Sequence, residues 1–101
     1  MKNPLIVKWF NDWFLENEEQ LRQRGLTVDF AEKSEKYPEY FQSANIDSDK
    51  KLGMAIVYDV GTCDIHTVEL ETDESTAAVE FIRSADEMSE FLEKFVSSLQ
   101  N

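Results

Sequence analysis

Residues 52–70, reading LGMAIVYDVGTCDIHTVEL, form the one stretch of this chain that reads as a buried β-hairpin. Its first arm sets Met54, Ile56, Tyr58 and Val60 on one face and Gly53, Ala55, Val57 and Asp59 on the other, the two-residue period of a strand. Gly61-Thr62 suits a two-residue type II′ turn, because glycine at the first central position adopts positive φ without a Cβ clash. That turn predicts a register in which Val60 faces Cys63, Asp59 faces Asp64, Tyr58 faces Ile65, Val57 faces His66, Ile56 faces Thr67 and Ala55 faces Val68. Two carboxylates directly opposite each other repel. The Asp59/Asp64 pair is therefore expected either to stand in water at the hairpin tip or to await a cation from a partner.

The rest of the chain reads as elements that lean on this hairpin. Asn3-Pro4 fits an N-cap with proline in the first helical position, and Leu5, Trp9, Trp13 with Ile6, Phe10, Phe14 build a wide apolar stripe that continues to Leu21. A row of aromatics at this spacing is most simply core, against the alternatives of a partner-helix anchor or a nucleobase platform. Gly25, after Arg22 and Arg24, ends the helix. Leu26, Val28 and Phe30 alternate as a first strand, Glu32–Tyr37 reads as a turn, and a second strand begins after Pro38 and extends to Ile46. Asp47-Ser48-Asp49-Lys50 is a turn; it lacks the glycine and distal glutamate of an EF-hand loop. Glu71–Ser75 is another turn, followed by a stretch around Val79 and Phe81 that reads as a short last strand, with a helix over Thr76–Ile82 as the alternative. Ser84 and Glu87 make a capping box ahead of a helix whose buried stripe is Met88, Phe91, Leu92, Phe95 and Leu99. The expected fold is α+β: an N-terminal helix, an antiparallel sheet of four to five strands, and a C-terminal helix, in a single domain over residues 1–101. With both helices on one face of the sheet, the other face is free for a partner.

Charge narrows the partner. The chain carries 21 Asp/Glu against 10 Lys/Arg, a net charge of −11. Residues 1–50 hold 7 Lys/Arg and 10 Asp/Glu, whereas residues 51–101 hold 3 and 11. Such a balance argues against direct nucleic-acid binding or an anionic membrane, and a basic partner is its natural complement, although acidity also serves plain solubility. A single cysteine, no basic-then-apolar leader and no long apolar run point to the cytoplasm as the compartment.

Few catalytic arrangements are open to this composition. One His and one Cys are too few for a structural zinc site built from Cys and His, no phosphate-binding or nucleophile-elbow motif occurs, and no cofactor is expected. His66 would have to anchor any enzyme. In the register above it shares a face with Asp64 and Asp59, while Cys63 points to the other face, so no nucleophile meets the imidazole. No enzyme is expected. Paired carboxylates for glycoside hydrolysis lack a cleft in so small a domain.

Ile46-Asp47-Ser48 with Gly53, Gly61-Thr62-Cys63-Asp64-Ile65 and Glu71-Thr72 resemble the middle of small bacterial immunity proteins of the TriTu family. Trp9-Phe10, Trp13-Phe14 and Glu19-Gln20-Leu21 are similar to that family's first helix, so the likeness spans nearly the whole chain. The resemblance implies a cytoplasmic antidote that binds the toxic C-terminal domain of a contact-dependent growth inhibition effector. Toxins associated with the family act on transfer RNA together with elongation factor Tu, which implies a nuclease partner, with elongation factor Tu as a further member of a ternary complex. A nuclease that grips RNA needs a basic cleft, and an acidic protein can fill it in place of phosphate. Charge and expected exposure nominate Asp59, Asp64 and His66 on the hairpin, then Glu69, Glu71, Asp73 and Glu74 beyond it, as partner-binding residues of a monomer in a 1:1 complex. A small acidic secretion chaperone, ordinarily a dimer, is the competing reading.

Overall fold

The computed structural model describes residues 5–34 and 40–100, with the backbone alone over 31–34. Asn3, Pro4, Pro38 and the turn residues 35–37 lie outside the described residues. In chain order the elements are α1 (Leu5–Gln23), β1 (Thr27–Ser34), β2 (Phe41–Asp47), β3 (Lys51–Tyr58), β4 (Thr62–Glu69), β5 (Ser75–Phe81) and α2 (Ala85–Gln100). The five strands pair antiparallel in the order β1-β2-β3-β4-β5, a meander in which each strand pairs with the next along the chain. The fold is the α+β arrangement expected from the sequence.

Two boundaries differ from those expectations. Glu32–Ser34 belong to β1 rather than to a turn, because the strand continues past a register shift between Phe30 and Lys33 and resumes pairing as Lys33 with Gln42. At the other edge, β5 begins at Ser75, inside the expected turn, and runs seven residues.

Local chemistry sets the helix ends. At the end of α1, Gly25 takes φ 87°, the Leu26 amide donates to the Leu21 carbonyl at 3.1 Å and the Gly25 amide to the Arg22 carbonyl at 3.0 Å. This is the paired Schellman pattern, and the buried Leu21 and Leu26 are its apolar partners. Ser84 caps α2: its Oγ accepts the Glu87 amide at 3.1 Å, while Glu87 Oε1 accepts the Arg83 amide at 2.8 Å.

Both helices pack on one face of the sheet. From α1, Ile6, Phe10, Trp13, Phe14 and Leu21 are buried; from α2, Met88, Phe91, Leu92, Phe95, Val96 and Leu99. They meet the strand residues Val28, Ala44, Ile46, Ala55, Val57 and Cys63. The aromatic row of α1 is core, with Phe10 and Trp13 edge-on to Phe14 at 4.8 and 5.0 Å and only Trp9 half-buried. The small residues of β3 let α2 come close. A Cβ on Gly53 would lie 2.6 Å from the Ile46 carbonyl oxygen and 2.9 Å from side-chain carbons of both Leu99 and Phe95. At the ends of the helix layer, Lys51 Nζ donates to the Ser98 carbonyl at 2.8 Å, a cation at the C-terminal end of α2, and Gln100 Nε2 donates to the Arg24 carbonyl at 3.2 Å.

The hairpin register corrects the expected one. Tyr58 pairs with Thr62, Val57 with Cys63, Ile56 with Asp64, Ala55 with Ile65, Met54 with His66 and Leu52 with Val68. The loop is three residues, Asp59-Val60-Gly61, with the Gly61 amide bonded to the Tyr58 carbonyl at 3.0 Å and Gly61 at φ 106°. A turn closed by a left-handed glycine is the three-residue hairpin solution. The shift from the expected pairing is odd, so it exchanges the faces of one arm relative to the other.

Candidate partner-binding face

The face of the sheet away from the helices is a grid fixed by the ladders. Its rows across β2, β3, β4 and β5 are Phe41-Tyr58-Thr62-Phe81, Ser43-Ile56-Asp64-Val79, Asn45-Met54-His66-Ala77 and Asp47-Leu52-Val68-Ser75. Exposure rises toward β5: Ser43 is buried, Met54, Ile56, Asp64 and Val68 are half-buried, and His66, Val79 and Phe81 are exposed. Nine apolar or aromatic side chains share this face with Asp47, Asp64 and His66. Phe41 and Tyr58 close one corner with ring centroids 6.2 Å apart.

The residues nominated from sequence fall in three places. Asp64 and His66 stand two apart on β4 and share the open face, Asp64 between Ile56 and Val79, His66 between Met54 and Ala77. Asp59 does not join them. It lies in the β3–β4 turn, is 4% exposed, and its amide donates to the Tyr40 carbonyl at 3.0 Å, so the expected Asp59/Asp64 opposition is absent. The physical reason is the extra loop residue, which withdraws Asp59 from the ladder. Glu69, Glu71, Asp73 and Glu74 gather at the opposite end of the sheet, around the β4–β5 connection. There the Asp73 amide donates to the Glu69 carbonyl and the Glu69 amide to the Glu74 carbonyl, both at 2.8 Å, with Asp73 at φ 60°. Glu71, Asp73 and Glu74 are exposed and Glu69 is half-buried. Among the described residues, Asp64 and these four carboxylates form no ion pair; the ion pairs found, Lys8–Asp12 and Arg22–Glu18, are exposed pairs within α1.

The neighbouring β2–β3 turn is held by its own side chains. Ser48 Oγ accepts the Lys50 and Lys51 amides at 3.3 and 3.1 Å, and Asp47 Oδ1 accepts the Gly53 amide at 3.3 Å. Asp47 and Ser48 thus serve backbone amides of this turn.

Cys63 lies on the helix side, fully buried, opposite Val57 and Glu80. Burial, then the carboxylates of Asp64 and Glu80, push its thiol up to about 12. It is a protonated thiol facing away from the imidazole of His66, so the two residues make no nucleophile and base pair.

The helix layer carries acid too. Asp12, Glu16, Asp86 and Glu93 line a groove between α1 and α2 beside Trp9 and Trp13. What distinguishes the sheet face is the company its acids keep: Leu52, Val79 and Phe81 there are 45%, 61% and 64% exposed. Sequence reasoning by charge missed these apolar positions. The alternation of Val79 and Phe81 held the signal, but the face they share with Asp64 follows only from the ladder. Exposed apolar surface ringed by charge is the ordinary composition of a protein-docking face.

Among the described residues no helix is long and apolar enough to cross a membrane. Neither the curated proteins nor the solved structures searched gave a match to this chain. The model of one protein family, described as immunity protein TriTu, matches residues 8–98, nearly the whole chain and every element of the fold from α1 to α2. This protein therefore belongs to the TriTu family of immunity proteins, whose function requires a cognate toxin as partner.

Proposed function

We propose that this protein binds the nuclease domain of a contact-dependent growth inhibition effector, a toxin directed at transfer RNA, and covers its basic active site with the open face of the sheet. It does so as a cytoplasmic monomer in a 1:1 complex with the toxin, and elongation factor Tu completes the assembly that the family resemblance implies. The observation that carries this reading is acid without an ion pair among the described residues on a face with exposed apolar surface: Asp64 beside Val79 in the ladder, with Phe81 beyond it, and Glu71, Asp73 and Glu74 at the β4–β5 end of the sheet. An RNA-gripping site is basic by necessity, and carboxylates can occupy phosphate positions there while the apolar residues exclude water. His66 is retained as a contact on the same face. Asp59, nominated with it, is withdrawn because its burial leaves no carboxylate to offer.

The test is the rate of association with the cognate toxin domain, measured across ionic strength. Steered association falls roughly tenfold or more between about 20 and about 300 mM salt. A rate indifferent to salt overturns the electrostatic part of the proposal. Replacing Asp64, Glu71 and Glu74 together by Lys is expected to slow association strongly while the fold persists, since all three are at least partly exposed and none is ion-paired among the described residues. His66→Ala is expected to leave protection of toxin-expressing cells largely intact; complete loss would revive a catalytic role for the imidazole.

A further inference from the structure

The two edges of the sheet differ in a way that the docking face alone does not require. Open edges invite pairing with another chain, and natural sheets blunt them with lysine, proline or a bulge. The β1 edge has both a bulge between Phe30 and Lys33 and the Lys33 residue itself. The β5 edge, Ser75-Thr76-Ala77-Ala78-Val79-Glu80-Phe81, has neither lysine nor proline, and its seven pairs with β4 run without a register shift. All seven residues are exposed, so both faces of this strand are open as well as its outer side.

A groove of about 270 Å³ runs between this strand and α2. Its apolar wall is Ile65, Ala78, Phe91 and Phe95, with Glu80 and Lys94 among its polar residues. On the strand's other face stand Val79 and Phe81. A strand added at this edge would place alternate side chains over the groove and over the Val79–Phe81 surface, the geometry of β-augmentation.

Charge selects the occupant. Between Asp64 and Glu93, Arg83 is the only Lys or Arg against ten Asp/Glu, and a second copy of a chain with net charge −11 is repelled. We infer that β5 accepts an extended strand of a basic polypeptide on its free edge, and that this strand belongs to the toxin. The inference rests on the proposed antidote function and adds to it a main-chain mode of recognition.

Hydrogen exchange separates the two readings. In the free protein the outward amides of β5 are expected to exchange fast; in the complex with the cognate toxin domain they become protected. Complex formation without protection on β5 overturns edge pairing and leaves the antidote reading standing. No complex at all with a basic nuclease domain overturns both. Protection already present in the free protein, with a dimer in sedimentation, assigns the edge to a second copy and overturns the inference. Proline scanning supplies an independent check. Neighbouring residues of an antiparallel edge strand direct their amides alternately inward and outward, so one of Ala77→Pro and Ala78→Pro removes an outward amide and is tolerated. The tolerated variant, recognised by its unchanged thermal midpoint, is expected to bind the toxin at least tenfold more weakly. Unchanged affinity in that variant overturns the inference.

Discussion

Gly53 carries more of the architecture than its size suggests. In a strand, glycine to alanine ordinarily favours the folded state, since alanine loses less chain entropy. Here the sign reverses. The added methyl would meet the Ile46 carbonyl oxygen at 2.6 Å, a backbone atom of the paired strand that cannot swing aside, and the tips of Phe95 and Leu99 at 2.9 Å. Gly53→Ala is expected to cost roughly 1–3 kcal/mol, the range for overpacking a filled core, read as a lower urea midpoint. Cys63 makes a second residue-scale prediction. Its thiol is raised from the ordinary 9.0 to about 12, by burial and then by Asp64 and Glu80. Between these values the unfolded chain has released the proton and the folded chain still holds it, so stability falls as pH rises. The slope is about 1.4 kcal/mol per unit above pH 9. Urea unfolding at rising alkaline pH should show this loss in the native sequence, and Cys63→Ala should flatten it, after a small cavity cost at neutral pH.

Helix α2 and the β3–β4 hairpin show why some elements are legible in sequence and others only in part. Ser84 and Glu87 stand three residues apart before an apolar stripe, and each side chain finds a backbone amide. The cap is local chemistry, so spacing alone locates it. Ser84→Ala is expected to cost about 1 kcal/mol, measured as a drop in thermal midpoint with the same far-ultraviolet helix signal in the folded baseline. The hairpin is different. Gly61 permits positive φ in either a two-residue or a three-residue loop, so glycine alone does not choose. The core chooses. The two-residue register would set Ala55 and Val57 on the same side as His66 and Val68, whereas the observed one joins Ala55 with Ile65 and Val57 with Cys63 beneath the helices. Matching the apolar series of both arms to one buried face was the missing step. The same gap explains the site: Asp64 and the rim acids are legible by charge, while the burial of Asp59 depends on loop length and the company of Val79 and Phe81 on the ladder. Gly61→Ala, at φ 106° with open space around its Cβ, is expected to destabilise through backbone conformation alone, by about 1 kcal/mol in urea unfolding.

For the whole molecule, salt acts with opposite signs on folding and on binding. A net charge of −11 on 101 residues repels itself in the compact state, and the ion pairs among the described residues are two short-range pairs on α1. Added salt screens that repulsion and should raise the thermal midpoint, because the Debye length shrinks from about 20–30 Å at the lowest ionic strengths to below about 10 Å. If a basic toxin docks as proposed, the same screening removes the field that would draw it toward Asp64 and the β4–β5 acids, so the association rate should fall over the same range. The dissociation rate should change much less, since the contacts proposed for Val79, Phe81 and a main-chain ladder would be short-range and desolvated in the complex. A protein acidic only for solubility would show the first effect without the second. The two measurements, made on one preparation across one salt series, therefore separate charge that keeps the molecule apart from its copies and charge that brings it to its toxin. A midpoint that rises while the association rate stays level would assign the acid to solubility and leave recognition to the apolar face and the β5 edge.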